Sequence, residues 1–160
     1  MSLVRILVDG YSLLHHWPEL ARGRARHSAA AREELIRILV QYQDATGTPV
    51  TVFFDGSGRN RNNPGPDTTA SIEVLFSGAG QTADQLIERA AHRFSAYGHV
   101  LAVTNDAAER DTVIAMGGMA CSCDQFIRMI RATLEEQQED IKSHNRRERT
   151  RFARPREGNA

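Results

Sequence analysis

The sequence predicts an α/β protein, a three-layer α/β/α sandwich built on a mostly parallel sheet. Five short apolar segments alternate with longer segments whose apolar residues recur with the period of a helix. Two of the short segments, at residues 4–8 and 50–54, end directly in Asp-Gly, which is typical of buried parallel strands that stop at a surface. Strands joined by helices at this spacing form right-handed βαβ units, with helices on both faces of the sheet.

The first half of the chain contains one well-marked helix between two strands. A loop with Pro18 and Gly23 is predicted to follow the first strand. Ser28 then has the position of an N-cap, and Gly47 has that of a C-terminal stop. After the second strand, residues 57–69 are rich in Gly, Asn, Arg and Pro, which predicts a polar loop.

The second half repeats the alternation. Three apolar segments predict the remaining strands, at residues 72–76, 101–104 and 119–122. Thr82 and Gln85 have the spacing of a capping box for a helix that Gly98 would end. A short helix is expected at residues 107–116, and a last one from about Asp124.

Length and composition fit a single globular domain. A chain of 160 residues can bury a core on both faces of a sheet, and 41% hydrophobic with 25% charged residues excludes disorder. The apolar start is too short for a secretory signal, so we expect a cytoplasmic protein. Cys121 and Cys123 are interpreted as reduced core thiols, with neither a disulfide nor a metal role.

Charge is distributed unevenly along the chain. The formal net charge is zero, yet residues 142–160 hold seven Lys or Arg and two Glu, a net charge of +5, which leaves −5 for residues 1–141. We therefore divide the chain into a domain at residues 1–141 and a basic C-terminal tail at residues 142–160. RNA is the expected partner of the tail, through residues such as Arg146 and Arg147, and a solvated helix end is the alternative.

Four aspartates are predicted to meet at one edge of the sheet, because they lie at or just after strand ends or in the first turn of a helix that starts there. These are Asp9, Asp55, Asp84 and Asp106. Crowded carboxylates repel one another, and divalent cations are what usually neutralises them. Oxygen ligands of this kind suit Mg²⁺ or Mn²⁺, which could activate a water and stabilise charge on a phosphodiester.

Each aspartate also has an ordinary structural interpretation. Asp-Gly is a good turn former, which accounts for Asp9 and Asp55. Asp106 could form a capping box with Glu109, and Asp84 would favour the dipole of its helix. The meeting of all four at one edge is what favours a metal site.

Four short runs carry a family resemblance: ILVDGY at residues 6–11, VFFDG at 52–56, QTAD at 81–84 and VTND at 103–106. In this order they resemble the NYN-domain nucleases of the PIN-like superfamily, in particular the YacP-like branch, over roughly residues 3–135. The resemblance implies a PIN-like fold and Mg²⁺- or Mn²⁺-dependent endonucleolytic cleavage of RNA. It also places the metal-site and catalytic positions on the four aspartates named above.

The sequence departs from the family pattern at two positions. Ser12 stands where the family usually has Asn, and Asn105 stands where Ser is common. A serine cannot reproduce the donor and acceptor pair of an amide, so the departures bear on substrate positioning and rate. They remove no carboxylate.

Several polar residues are candidate RNA contacts. Ser12 lies beside the first aspartate, and Arg59 and Arg61 lie in the polar loop, where arginines can grip a phosphate backbone or simply remain solvated. His15 and His16 could contact phosphate, although packing or loop histidines are commoner.

Three functions remain compatible with the sequence. The first is a metal-dependent endoribonuclease, and the second is a non-catalytic RNA- or ribosome-binding module with the same fold. The complete carboxylate set favours the first, because a binding module gains nothing from repelling acids near a polyanion. A phosphatase-like or nucleotide-handling protein ranks third, since the sequence has neither an Asp-x-Asp pair after the first strand nor a Walker-type loop.

Overall fold

The computed structural model describes residues 2–23, 25, 27–56 and 72–153. Five strands and five α-helices form along these residues. The strands are β1 (Leu3–Asp9), β2 (Val50–Phe54), β3 (Glu73–Phe76), β4 (His99–Val103) and β5 (Met119–Cys121). The helices are α1 (Gly10–His15), α2 (Ala29–Thr46), α3 (Ala83–Phe94), α4 (Ala107–Ala115) and α5 (Cys123–Ala153), with a 3-10 helix at Pro18–Ala21.

The strands form one parallel sheet in the order β3-β2-β1-β4-β5. β1 lies in the centre, and Val8 is paired with Val52 of β2 on one side and Val103 of β4 on the other. In sequence order, the chain thus adds β2 and β3 on one side of β1 and then β4 and β5 on the other side. This change of direction falls between the carboxyl ends of β1 and β4, where sheets of this kind have a crevice that binds ligands.

Helices cover both faces of the sheet. Alternate strand residues point to opposite faces, so Val8 and Phe54 pack with α1, α2 and α5, whereas Leu7 and Phe53 pack with α3 and α4. Both clusters are almost completely buried. The predicted three-layer α/β/α sandwich with a parallel sheet is thus confirmed.

The predicted helix caps are also confirmed. The Ser28 hydroxyl accepts a hydrogen bond from Ala31 N at 3.1 Å, and Gly47 ends α2 in the left-handed conformation with φ 73°. Thr82 and Gln85 form both hydrogen bonds of a capping box at the start of α3. Local sequence signals were sufficient at these positions because each cap involves residues only a few positions apart.

The prediction was wrong in the segment after β1. A loop was expected there, but α1 and the 3-10 helix form instead, with Leu13, Leu14 and Trp17 buried beneath them. Asp9 starts α1, because its Oδ1 accepts a hydrogen bond from Ser12 N at 3.2 Å. α1 can begin this close to the sheet because Gly10 has no side chain, and any Cβ there would overlap the ring of Phe54.

One helix end also differs from the prediction. α3 ends at Phe94, and Gly98 lies in the turn before β4. α5 continues through the first part of the basic tail, to Ala153. None of the described helices combines the length and apolar character needed to cross a membrane.

Candidate active site

A cleft of about 370 Å³ opens at the carboxyl edge of the sheet and contains three of the four predicted aspartates. Its lining residues are Asp9, Tyr11, Ser12, His15, His27, Asp55, Ala83 and Asp84. Among the residues that the structure describes, larger clefts also occur elsewhere, and the two with volumes of about 560 and 590 Å³ are lined by none of the predicted site aspartates. The smaller cleft is therefore the candidate active site.

Asp9 lies at the centre of this cleft, at the end of the central strand. Burial raises its pKa to about 6; the hydrogen bond from Ser12 N opposes this rise, and the charges of Asp84 and Asp55 add to it. The carboxyl group is thus held where its ionised form is poorly solvated. In the metal-free protein, Asp9 is protonated in mildly acidic solution.

Asp84 faces Asp9 from the first turn of α3. Burial raises its pKa, as do the charges of Asp106 and Glu88, whereas a hydrogen bond with Asp9 lowers it. The same hydrogen bond raises the pKa of Asp9, so the shared proton belongs mainly to Asp9. Two acids from different elements are thus brought into direct contact.

Asp55 is more exposed and is oriented by the end of β3. The Ser77 hydroxyl donates to Asp55 Oδ1 at 3.0 Å and accepts a hydrogen bond from Gly56 N, also at 3.0 Å. Ser77 itself is buried. A hydroxyl group fixed by the backbone therefore holds this third carboxylate in the cleft.

Asp106 is not among the residues that line the cleft. It is exposed at the N-terminus of α4, where its Oδ1 accepts hydrogen bonds from Ala108 N at 3.0 Å and Glu109 N at 3.4 Å. Asp106 therefore caps α4. The predicted capping box with Glu109 does not form, because the backbone N of Asp106 donates its hydrogen bond to Thr104 Oγ1. The charge of Asp106 nevertheless acts on Asp84, which places it beside the cleft.

Glu109 and Glu88 extend the acidic region, and the sequence analysis did not identify them as site residues. Glu109 is only 4% exposed, and burial, a hydrogen bond with Glu88 and the charge of Asp84 raise its pKa to about 8. Its Oε1 has no hydrogen-bond partner in the described part of the chain. Their spacing in the sequence could have identified them. Glu88 lies one helical turn after Asp84, and Glu109 lies one helical turn after Asp106, which places each pair on the same face of a helix.

The chemistry of these side chains fits a hard divalent cation. Six carboxyl groups meet near one edge of the sheet, and within the described ranges none of them forms an ion pair with a basic residue. In the part of the chain that the structure describes, however, no group of three or more Asp, Glu, His or Cys side chains is arranged so that it could hold a metal ion. A cation held here would need water or phosphate oxygens to complete its coordination, as Mg²⁺ commonly does.

The predicted RNA contacts fall in three places. Ser12 is half-buried and lines the cleft. Arg59 and Arg61 lie outside the described residues. Arg146 and Arg147 are exposed on α5, which begins at the same edge of the sheet as the cleft; a helix rises 1.5 Å per residue, so they lie about 35 Å from its start. The structure therefore does not bring them to the cleft.

The two cysteines are free thiols in this structure and do not form a disulfide. Both are free, Cys121 on β5 and Cys123 at the first position of α5. Burial raises the pKa of each thiol to about 11, so both are protonated at neutral pH. The prediction of reduced thiols agrees with this arrangement.

Comparison with known proteins identifies the family. The sequence profile of the YacP-like NYN domain matches residues 6–157. The Bacillus subtilis protein described as "Uncharacterized protein YacP" is 30% identical over 129 residues, which cover 78% of this chain and 74% of that protein.

Solved structures agree with this match. A crystal structure of Rae1 (YacP) from Bacillus subtilis, carrying a Trp-to-Leu mutation, is 26% identical with a TM-score of 0.75, covering 89% of this chain and 84% of that one. A second crystal structure of Rae1 (YacP), 24% identical and covering 96% and 88% of the two chains, has a TM-score of 0.71 and supports the fold. NYN domains are nuclease-like and linked to RNA. The chain belongs to the YacP-like NYN domain family.

Proposed function

We propose that this protein is a metal-dependent endoribonuclease that cleaves RNA phosphodiester bonds in the acidic cleft, with Mg²⁺ or Mn²⁺ as its cofactor. The observation that carries the proposal is the arrangement of Asp9, Asp55 and Asp84 in one cleft, without basic partners among the described residues. Burial and mutual repulsion raise the pKa of Asp9 and of Asp84. Such an arrangement disfavours the empty site and favours a bound cation.

The carboxylates have distinct parts in this proposal. Asp9 and Asp84 supply oxygen ligands from β1 and α3, and Asp55 supplies a third from the end of β2. Asp106, whose charge acts on Asp84, would contribute from the start of α4 beside the cleft. A bound cation would lower the pKa of an attacking water and offset charge on the phosphodiester. Asp9 must release its proton before it can act as a ligand.

The walls of the cleft suit an unpaired nucleotide. The ring of Tyr11 packs against that of His27 at 4.4 Å and against that of Phe54 at 5.0 Å between ring centroids. Tyr11 and His27 both line the cleft beside the acids. Aromatic rings next to a metal site can stack on exposed bases, and Ser12 can hydrogen-bond to the backbone.

The second part of the proposal concerns the basic arm, which we define as residues 142–153 of α5. Arg146 and Arg147 line a groove on it with Ser143, Thr150 and Arg151. Because the arm begins beyond the packed part of α5, its arginines can contact phosphates without affecting the cleft. An RNA that contacts both regions must be large or folded, and the ribosome is a second partner of this kind. Arg59 and Arg61, which follow β2 in the sequence, remain proposed contacts.

A non-catalytic RNA- or ribosome-binding module is the alternative. One specific observation favours it, namely that no three potential ligands among the described residues are arranged around a common metal position. In that case the acids would be structural, since Asp9 and Asp106 both cap helices. The two functions differ in whether RNA is cut.

Incubation of the purified protein with labelled single-stranded and hairpin RNAs separates them. We expect cleavage with Mg²⁺ or Mn²⁺, none with EDTA, and none from the Asp84→Asn variant. Asp44→Asn is the matched control, because Asp44 is an exposed carboxylate on α2 away from the cleft. Cleavage that survives EDTA would contradict the metal mechanism. RNA binding without cleavage under every condition would favour the binding module.

A further inference from the structure

His16 joins two parts of the chain that are far apart in sequence. Its Nδ1 lies 2.9 Å from the carbonyl oxygen of Ser12, and its Nε2 lies 2.6 Å from Nδ2 of Asn105. Oδ1 of Asn105 in turn accepts a hydrogen bond from the backbone N of Cys123 at 2.7 Å. A continuous chain of hydrogen bonds therefore links α1, the segment after β4 and the start of α5.

The hydrogen-bond partners of the His16 ring indicate which of its two nitrogens carries the proton. The backbone N–H of Cys123 can only donate, so it faces the oxygen of the Asn105 amide and leaves the NH₂ group to face His16. The carbonyl of Ser12 can only accept, so Nδ1 must carry the proton. These contacts assign to His16 the tautomer with its proton on Nδ1 and its lone pair on Nε2 directed at Asn105.

This hydrogen-bond network is connected to two acids at the candidate active site, Asp9 and Asp106. Asn105 immediately precedes Asp106, and Ser12 N donates to Oδ1 of Asp9. The Ser12 hydroxyl also accepts hydrogen bonds from Cys123 Sγ at 3.4 Å and, more weakly, from Asn105 N at 3.5 Å. Asp9 and Asp106 end neighbouring parts of the sheet, on the two sides of the crevice between β1 and β4.

The network also relates the two departures from the family pattern. Ser12 and Asn105 contact each other, because the Ser12 hydroxyl on α1 accepts a hydrogen bond from the backbone N of Asn105 on the facing segment, at 3.5 Å. The Asn105 side chain itself contacts both His16 and the backbone N of Cys123. In this chain the bridging amide is thus supplied from the β4 side of the crevice.

We propose that His16 and Asn105 are positioning residues that fix Asp9 and Asp106 relative to each other across the crevice between β1 and β4. They act through Ser12, which holds Asp9, and through the backbone between Asn105 and Asp106. This inference rests on the proposed function, because it assigns the pair a role in cation binding. Side chains that orient metal ligands typically change metal affinity by about 10- to 100-fold when they are removed.

The first test reads the hydrogen-bond network itself and does not require activity. In ¹⁵N NMR spectra of the metal-free protein, one of the six histidines is assigned to His16 by its loss in His16→Gln. We expect its neutral form to carry the proton on Nδ1. In Asn105→Asp, which keeps the acceptor for Cys123 N but cannot donate, Nε2 of His16 should become protonated. A neutral His16 with its proton on Nε2 in the native protein would overturn the proposal.

The second test measures Mn²⁺ affinity by calorimetry together with kcat and KM for RNA. His16→Gln and Asn105→Ala should each weaken Mn²⁺ binding by about 10-fold or more, and the double variant should be little worse than either, because both remove the same bridge. His92→Gln, an exposed histidine on α3, is the control and should leave affinity unchanged.

The outcomes distinguish the inference from the proposed function. Reduced thermal stability with native Mn²⁺ affinity in both single variants would show a purely structural network and overturn the inference. If a variant fails to fold, Asn105→Asp provides the conservative comparison. Absence of Mn²⁺ binding to the native protein would contradict the proposed function and, with it, the positioning role, whereas the ¹⁵N spectra would still decide the protonation of His16.

Discussion

Asp9 and Asp84 are both acids, yet they share a hydrogen bond across the candidate active site. Asp9 comes from the end of β1, and Asp84 comes from the first turn of α3. The contact exists only because one of the two retains a proton, and the pKa of Asp9, raised to about 6, identifies it as the holder. Folding therefore brings two acids together at a cost in free energy, and this cost increases as the pH rises and Asp9 loses its proton.

The first prediction concerns stability without metal. The pKa of Asp9 rises from 3.8 to about 6 on folding, so the native state binds more protons than the unfolded state between these pH values. The contribution of Asp9 to stability is therefore full below about pH 4 and is lost as the pH rises through 6, by about 3 kcal/mol at 1.36 kcal/mol per pKa unit. Asp9→Asn removes this loss and keeps a capping side chain for α1.

We expect Asp9→Asn to stabilise the protein at pH 8 by up to about 3 kcal/mol and to have little effect at pH 4. Urea unfolding in EDTA at both pH values measures the difference. Asp44→Asn, which changes an exposed carboxylate, should show no such dependence on pH. An Asp9→Asn effect of equal size at both pH values would show that Asp9 is not the protonated acid.

The second prediction concerns catalysis. Asp9→Asn and Asp106→Asn should each reduce cleavage of labelled RNA by about 100-fold or more at saturating Mn²⁺, because each removes a charged oxygen near the reacting phosphate. Circular dichroism should show an unchanged fold, since asparagine preserves both helix caps. Near-native activity in both variants would place the chemistry elsewhere on the molecule.

The third prediction concerns metal binding and its dependence on pH. Mn²⁺ should raise the melting temperature, and a concentration 100 times Kd would add about 2.7 kcal/mol of stability. Because Asp9 must lose its proton on binding, affinity should fall about tenfold per pH unit below pH 6. Calorimetry between pH 5 and 7 measures this slope. Affinity that is constant over this range would show that Asp9 is not a ligand.

The predictable parts of the fold depended on local signals. Ser28 and Thr82 predicted the starts of two helices, and the Asp-Gly pairs predicted where β1 and β2 end. α1 was missed because Pro18 and Gly23 dominated the pattern after β1, although Asp9 three residues before Ser12 is itself an N-cap signal. The loop interpretation gave too much weight to residues that follow the helix.

The parts of the site that were missed depend on contacts across the fold. His16 meets Asn105 across 89 positions of sequence, and Cys123 meets Ser12 across 111. No periodicity or local motif encodes such pairs. The aspartates were predictable because topology alone brings strand ends together, whereas the network behind them depends on how α1 and α5 pack.

The last prediction concerns the basic arm. Arg146→Gln combined with Arg147→Gln removes two positive charges from an exposed helix face that lies about 35 Å along α5 from the acidic edge of the sheet. Cleavage of a short RNA that fills only the cleft should therefore be unchanged. Binding to a long folded RNA should weaken, and the slope of log affinity against log salt should become shallower by about 1 to 2, because fewer counterions are released.

Fluorescence anisotropy from about 50 to 300 mM salt, a roughly sixfold range over which phosphate contacts weaken strongly, measures this slope. The matched control is Arg89→Gln with Arg93→Gln, which removes the same charge from exposed positions one turn apart on α3. If both double variants change the slope equally, the effect is one of net charge and not of the arm. A slope unaltered by the arm variant would show that its arginines do not contact phosphates, and a protein partner would then account better for their charge.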